Sequence, residues 1–95
     1  MSDLEDETAR GEHAARILSD PLLVEAFTTI AERYETAWKT SPARDAEGRE
    51  RLWLMRKCLD QVQGHLTSMV ETGQMANVQL EERGLSGFLS RVGLR

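Results

Sequence analysis

Six residues between positions 44 and 57 form the group best suited to chemistry. They are Arg44, Arg49, Arg51, Trp53, Arg56 and Lys57. In a helix, Arg49, Trp53 and the Arg56–Lys57 pair share one face, because residues three or four positions apart are neighbours on a helix surface. Cationic groups beside an aromatic ring suit the backbone of a nucleic acid. The pattern therefore predicts a candidate nucleic-acid-binding surface.

The same basic cluster also has a purely structural interpretation. Its cations could pair with Asp45, Glu47 and Glu50 and with a neighbouring helix, while Trp53 packs in an interface. The net charge of the chain is −4, which favours this second interpretation for a single chain. A ring of subunits would multiply the basic patch and so restore DNA contact. The sequence leaves both interpretations open.

No pattern in the chain indicates catalysis or a metal site. His13 and His65 begin no metal-ligand spacing. Cys58 and His65 lie two turns apart in one helix, about 10 Å, which is too far for a nucleophile and its base. The carboxylates lack a Glu-x-x-His ligand pair, and there is no glycine-rich phosphate loop. We expect no enzyme activity, cofactor or metal; the alternative, a small helical mutase, needs Arg and Glu around a cavity.

Length and composition bound the class of protein. A chain of 95 residues makes one domain at most. Its only cysteine excludes a disulfide framework, and no apolar run approaches the roughly 20 residues of a membrane span. No signal peptide is evident, so we expect an intracellular protein with no membrane partner. Charge is uneven: residues 1–20 carry six acids and two bases, whereas residues 83–95 carry three arginines and no acid.

Two helical arms must position the basic cluster. Leu23, Phe27, Ile30, Tyr34 and Trp38 follow one another at steps of three and four, which is one stripe of a helix. Proline is favoured in the first turn of a helix, and Asp20 or Ser19 can cap it. The first arm, residues 8–40, is therefore predicted to be kinked at Pro21. Pro42 ends it, and Asp45 is the expected N-cap of the second arm.

The second arm has the clearest periodicity. Its apolar seam comprises Leu52, Met55, Leu59, Val62, Leu66, Met69, Gly73, Ala76 and Leu80. Steps alternate between three and four over four heptads, which is typical of a helix packed along its whole length. We expect the helix to continue to about Arg83 and to be capped by Gly84. Gly73 either permits close approach of another helix or marks a kink.

These arms predict an all-α fold: an antiparallel helical hairpin with a kinked first arm, oligomerising through coiled-coil-like packing. Residues 1–8 are expected to form an acidic tail, residues 9–83 the hairpin, and residues 84–95 a basic amphipathic segment. Apolar residues off the seam, such as Leu22 and Leu54, would face water in an isolated hairpin. Oligomerisation would cover them, and a three- or four-helix monomer is the alternative.

The C-terminal segment is expected to dock on a partner. Its apolar and basic residues are Leu85, Phe88, Leu89, Arg91, Val92 and Arg95. Four of the apolar positions of this segment share one helical face, as in amphipathic segments that become ordered on another surface. The partner is either this domain or another chain.

Residues 20–27, 41–48, 49–60 and 64–73 carry a resemblance to a known class of proteins. They read DPLLVEAF, SPARDAEG, RERLWLMRKCLD and GHLTSMVETG. The combination resembles short proteins from the structural and packaging gene clusters of phages and prophages. In architecture it is most similar to the small terminase subunits of tailed phages and gene transfer agents, over about residues 11–80.

This resemblance implies a ring-forming protein that recognises double-stranded DNA and hands it to the large terminase. Residues 23–38 and 52–80 would form the oligomerisation core, and residues 85–95 would contact the motor. The chain has no room for the N-terminal helix-turn-helix domain of many members, so DNA recognition would fall to residues 49–57. The host cytoplasm or the virion would be its location. The alternative is a virion, scaffold or adaptor component that makes protein contacts only.

Overall fold

The chain folds into three helices. A computed structural model describes residues 3–91 and 93, except for the side chains of residues 86 and 88–90. The helices are α1 (Asp3–Ser19), α2 (Pro21–Thr40) and α3 (Ala46–Arg91). No strand occurs among these residues. The all-α prediction and the hairpin-like packing of helices are confirmed.

The break between α1 and α2 lies where the sequence predicts it. Asp20 has an extended backbone, with ψ at 120°, and Pro21 begins α2. The Asp20 carboxylate accepts hydrogen bonds from the backbone N–H groups of Leu22 at 2.9 Å and Leu23 at 3.1 Å. These two groups have no partner inside the helix, so the side chain replaces water as their acceptor. Asp20 is therefore the N-cap of α2.

Helix α3 is one element of 46 residues. It passes through Gly73 without interruption and continues beyond Gly84, so the expected cap at Gly84 is wrong. The chain instead reaches positive φ at Gly93, where φ is 75°. Glycine costs a helix only about 1 kcal/mol, which neighbouring helical turns can offset. At the other end of the chain, α1 begins at Asp3, so the described part of the expected acidic tail is helical.

Contacts divide the chain into two compact units. One, here called the crossing unit, contains residues up to Arg16 and from Thr67 onward; the other, the hairpin unit, is Ile17–Leu66. Each unit takes one segment of α3. These units follow helix packing, and the predicted division of the chain at residues 8 and 83 stays a prediction.

In the crossing unit, α1 and α3 meet through small residues. A Cβ atom on Gly11 would lie 2.7 Å from the Gly73 Cα, and one on Gly73 would lie 2.8 Å from the Gly11 Cα. Ala14 and Ala76 are the buried hydrophobic residues beside this contact. Only residues this small let two helix backbones touch. Of the two roles open to Gly73, the structure therefore shows close approach.

In the hairpin unit, α2 packs against the first half of α3 after a turn at residues 41–45. The contact line is half-buried and contains Leu23, Phe27, Tyr34, Leu52, Leu59 and Leu66. Along α3, this line continues through Arg56 and Gln63, which are also half-buried. Met55 and Val62, from the predicted seam, are exposed instead. From Leu52, the observed contact line steps by four residues and then by three. The predicted seam steps by three and then by four, which is why it included Met55 and Val62.

Candidate functional site

Arg49 closes the carboxyl end of α2. Its Nη1 donates hydrogen bonds to the Trp38 carbonyl at 3.0 Å, the Ser41 carbonyl at 3.2 Å and the Ser41 hydroxyl at 2.8 Å. The guanidinium carbon lies 4.0 Å from the centroid of the Trp38 ring. The last carbonyls of a helix lack intrahelical partners and carry partial negative charge, so a cation stabilises them. Arg49 is thus a structural clamp on the hairpin.

The turn between α2 and α3 is held by short-range hydrogen bonds. The Ser41 hydroxyl donates to the Trp38 carbonyl at 2.6 Å. The Asp45 carboxylate accepts from the Gly48 N–H at 3.1 Å, and the Asp45 N–H donates to the Pro42 carbonyl at 3.0 Å. Asp45 is therefore the N-cap of α3, as predicted. Part of its charge is neutralised by the helix amides.

Arg56 is also tied into the hairpin. Its Nε lies 3.2 Å from Asp60 Oδ1 and its Nη1 lies 3.4 Å from Glu35 Oε1. Nη1 is inaccessible to solvent and makes no aligned hydrogen bond, so its contact with Glu35 is ionic only. Such a group loses hydration that a single imperfect ion pair restores only in part. Arg56 consequently links α2 to α3 at a cost in desolvation.

The remaining members of the basic cluster are exposed but separated. Trp53 and Lys57 are adjacent: the Lys57 Nζ lies 5.3 Å from the centroid of the Trp53 ring. Arg51 precedes Trp53 by two residues, which turns it about 200° around the helix axis. Arg44 lies in the turn. The structure therefore brings Trp53 and Lys57 together and places Arg51 on the far side of α3.

An open groove runs beside the two tryptophans of the hairpin unit. Its volume is about 290 Å³, and its lining residues are Tyr34, Glu35, Trp38, Lys39, Leu52, Trp53 and Arg56. The floor is aromatic and aliphatic, and the rim carries both signs of charge. Such a surface can hold an apolar or planar group at the side of the hairpin. Across the described residues, no three His, Cys, Asp or Glu side chains could hold a metal ion together.

The sequence could not reveal the role of Arg49. An arginine four positions after an N-cap has no local signature for capping a different helix. Its partner lies eleven residues earlier, and the hairpin alone brings the two together. The clustering of Arg49, Trp53 and Arg56 on one face was predictable from spacing. Their division into clamps and exposed groups depends on the packing against α2.

The predicted docking segment is only partly described. Leu85 and Arg91 are exposed residues of α3. The Phe88 and Leu89 side chains, together with Val92 and Arg95, lie outside the described part of the chain. Among the described helices, none has an apolar stretch that would cross a bilayer.

No protein-family model, curated protein or solved structure matches this chain.

Proposed function

We propose that this chain is a non-enzymatic, self-associating subunit of a phage-type particle or packaging machine, similar in role to a small terminase. The observation that carries the proposal is how little apolar surface the described residues bury. Their only buried hydrophobic residues are Ala14 and Ala76, and none of their large side chains is fully buried. Contact with other subunits would bury apolar side chains that the single chain leaves exposed.

The large apolar side chains that stay exposed show how much apolar burial the single chain lacks. Those with large side chains are Leu22, Val24, Ile30, Trp38, Trp53, Leu54, Met55, Val62, Met75, Val78 and Leu85. Burying one such side chain contributes about 1.5–3 kcal/mol, and the whole stability of a domain is only about 5–15 kcal/mol. Covering even a few of them on a partner would therefore change the stability decisively. This favours an assembly protein over a free monomer.

A weak interaction with double-stranded DNA is the second part of the proposal. Residues 33–57 hold seven basic and four acidic residues, although the chain as a whole is acidic. Within this stretch, Arg44, Arg51 and Lys57 are exposed cations. Arg49 and Arg56 are bonded to α2. They would therefore add to the electrostatic attraction for phosphates more than they would contact DNA directly. Binding through phosphates alone would be insensitive to sequence.

Docking to the large terminase is assigned to residues 85–95. The exposed Leu85 and the excess of arginine in residues 83–95 support a short basic and apolar contact. A virion, scaffold or adaptor component would use the same surfaces for proteins only. DNA binding separates these two roles, because only the packaging role requires it.

Light scattering coupled to size-exclusion chromatography tests self-association. We expect a mass that is a multiple of the 10.7 kDa chain and that falls on dilution. A monomer of 10.7 kDa at every concentration from micromolar to millimolar would overturn the proposal. If the oligomer does not retard duplex DNA in a gel at low salt, the packaging role is excluded and the particle or adaptor role is supported.

A further inference from the structure

The hairpin unit has two dissimilar sides. Glu35 of α2 and Trp53 of α3 line the groove on one side. Ala26 precedes Glu35 by nine residues, and Val62 follows Trp53 by nine. Nine residues make two and a half helical turns, so Ala26 and Val62 point away from the groove. They belong to the opposite side of the helix pair.

That opposite side carries exposed apolar residues on both helices. We call it the open face and define it by Leu22, Ala26 and Ile30 of α2 with Met55 and Val62 of α3. All five residues are exposed, Leu22 to 73% and Val62 to 51%. Several exposed apolar residues on one side of a small protein are typical of a contact site.

We propose that the open face packs against the open face of a second copy of this chain, giving a four-helix arrangement around a two-fold axis. The inference rests on the proposed self-association and names its surface. A two-fold interface uses the same patch on both subunits, so a single apolar face suffices. The groove with Trp53 and Lys57 is then left outward, available for the second partner.

The dimensions of the open face suit a stable dimer. Helix α2 has 20 residues, which makes it about 30 Å long. Two helices, each about 10 Å across, present a footprint on the order of 600 Å². Because side chains make the accessible area larger than the footprint, this approaches the roughly 800 Å² that each partner buries in a standard interface. Small Ala26 and the larger Met55 and Val62 on one face also give relief for interdigitation.

Charge does not oppose this pairing. The hairpin unit holds eight acidic and seven basic residues, a net charge of −1, whereas the whole chain carries −4. Two hairpin units can therefore approach without strong repulsion. The charged residues Arg33 and Arg51 lie on the same side as the open face, and long arginine stems can cover apolar surface while their heads reach solvent.

A matched pair of substitutions tests the open face. Val62 and Val24 are exposed to nearly the same extent, 51% and 48%, but Val24 lies outside the open face. We expect Val62→Glu to raise the dissociation constant of the oligomer at least about tenfold, because it places a charge in an apolar contact. Val24→Glu should leave that constant within about twofold. Helix content by circular dichroism confirms that both variants fold.

The native thiol gives a second measurement that needs no substitution. Cys58 is exposed in the single chain and follows Trp53 by five residues, which places it on the same side as the open face. We expect its rate of reaction with an aromatic disulfide reagent to rise at least about fivefold when the oligomer is diluted to subunits, since reaction needs solvent access. In Val62→Glu, the fast rate should persist to concentrations at least about tenfold higher than in the wild-type chain.

The outcomes separate this inference from the proposed function. A wild-type chain that stays monomeric contradicts both. The open face is overturned, and self-association still stands, if the oligomer survives Val62→Glu but dissociates with Val24→Glu. The same holds if Cys58 reacts as fast in the oligomer as in the dissociated subunits. Dissociation by Val62→Glu alone, with Cys58 protected in the wild-type oligomer, supports the open face.

Discussion

Gly11 and Gly73 touch through their backbones, with no space for a side chain on either residue. Each would place a Cβ within 2.9 Å of a carbonyl oxygen as well, of Met69 for Gly11 and of Glu7 for Gly73. Backbone atoms of a helix cannot move aside as a flexible side chain can. The contact therefore sets how closely α1 can lie against this part of α3.

Substituting alanine for Gly11 is expected to destabilise the protein. The added methyl group must push α1 from α3, which typically costs about 1–3 kcal/mol and outweighs the gain of up to about 1 kcal/mol in helix propensity. Gly73→Ala should have a similar effect. Urea unfolding followed by circular dichroism, at one protein concentration, measures the free energy of unfolding.

Gly64 supplies the control for this prediction. It lies within α3 with nothing within 4 Å of an added Cβ, so Gly64→Ala should raise the free energy of unfolding by up to about 1 kcal/mol. If Gly11→Ala and Gly64→Ala were equally stable, the tight contact between the glycines would not exist in solution.

Replacing Arg49 with lysine tests the clamp on α2. Lysine keeps the charge but cannot form the planar stack on Trp38 or reproduce the guanidinium hydrogen bonds, so we expect a decrease of about 1–2 kcal/mol in the free energy of unfolding. Arg51→Lys, on an exposed residue of the same helix, should change it by less than about 0.5 kcal/mol. Thermal unfolding monitored by tryptophan fluorescence compares them. Equal midpoints for the two variants would contradict the clamp.

The cap at the start of α2 gives a third prediction. Asp20→Ala removes the acceptor for two backbone N–H groups and should lower the free energy of unfolding by about 1 kcal/mol. Asp20→Ser keeps an acceptor oxygen and should recover most of that decrease. The measurement is the midpoint of denaturant unfolding, compared between variants that have the same dependence of free energy on denaturant. A serine variant no more stable than the alanine variant would argue against capping.

Exposed cations should govern any affinity for DNA. Neutralising Arg44, Arg51 or Lys57 with alanine is expected to weaken duplex binding and to reduce the slope of log K against log salt by up to about 0.9 for each phosphate that the variant no longer neutralises. Fluorescence anisotropy across salt concentrations measures both quantities. Arg49→Lys is the control, because it preserves charge while altering the clamp. An unchanged slope in all three alanine variants would remove these residues from the interface.

Helix positions and their boundaries near proline were predictable from the sequence. Asp20, Pro21 and Asp45 act through neighbours two or three residues away, so their roles can be deduced locally. The apolar stripes were also legible, since helical periodicity is a property of consecutive residues. The end of α3 was not, because glycine at position 84 only weakens a helix and does not end it.

Tertiary packing decided what the periodic pattern left ambiguous. Leu52, Leu59 and Leu66 recur every seven residues and fit two contact lines equally well, one through Met55 and Val62 and one through Arg56 and Gln63. The ion pair of Arg56 with Glu35 and the cap by Arg49 accompany the second line, leaving Met55 and Val62 exposed. By itself, the sequence determined where α2 and α3 begin and where α2 ends, because turn and cap chemistry is local. Only the fold decided how each helix is rotated, because that depends on distant side chains.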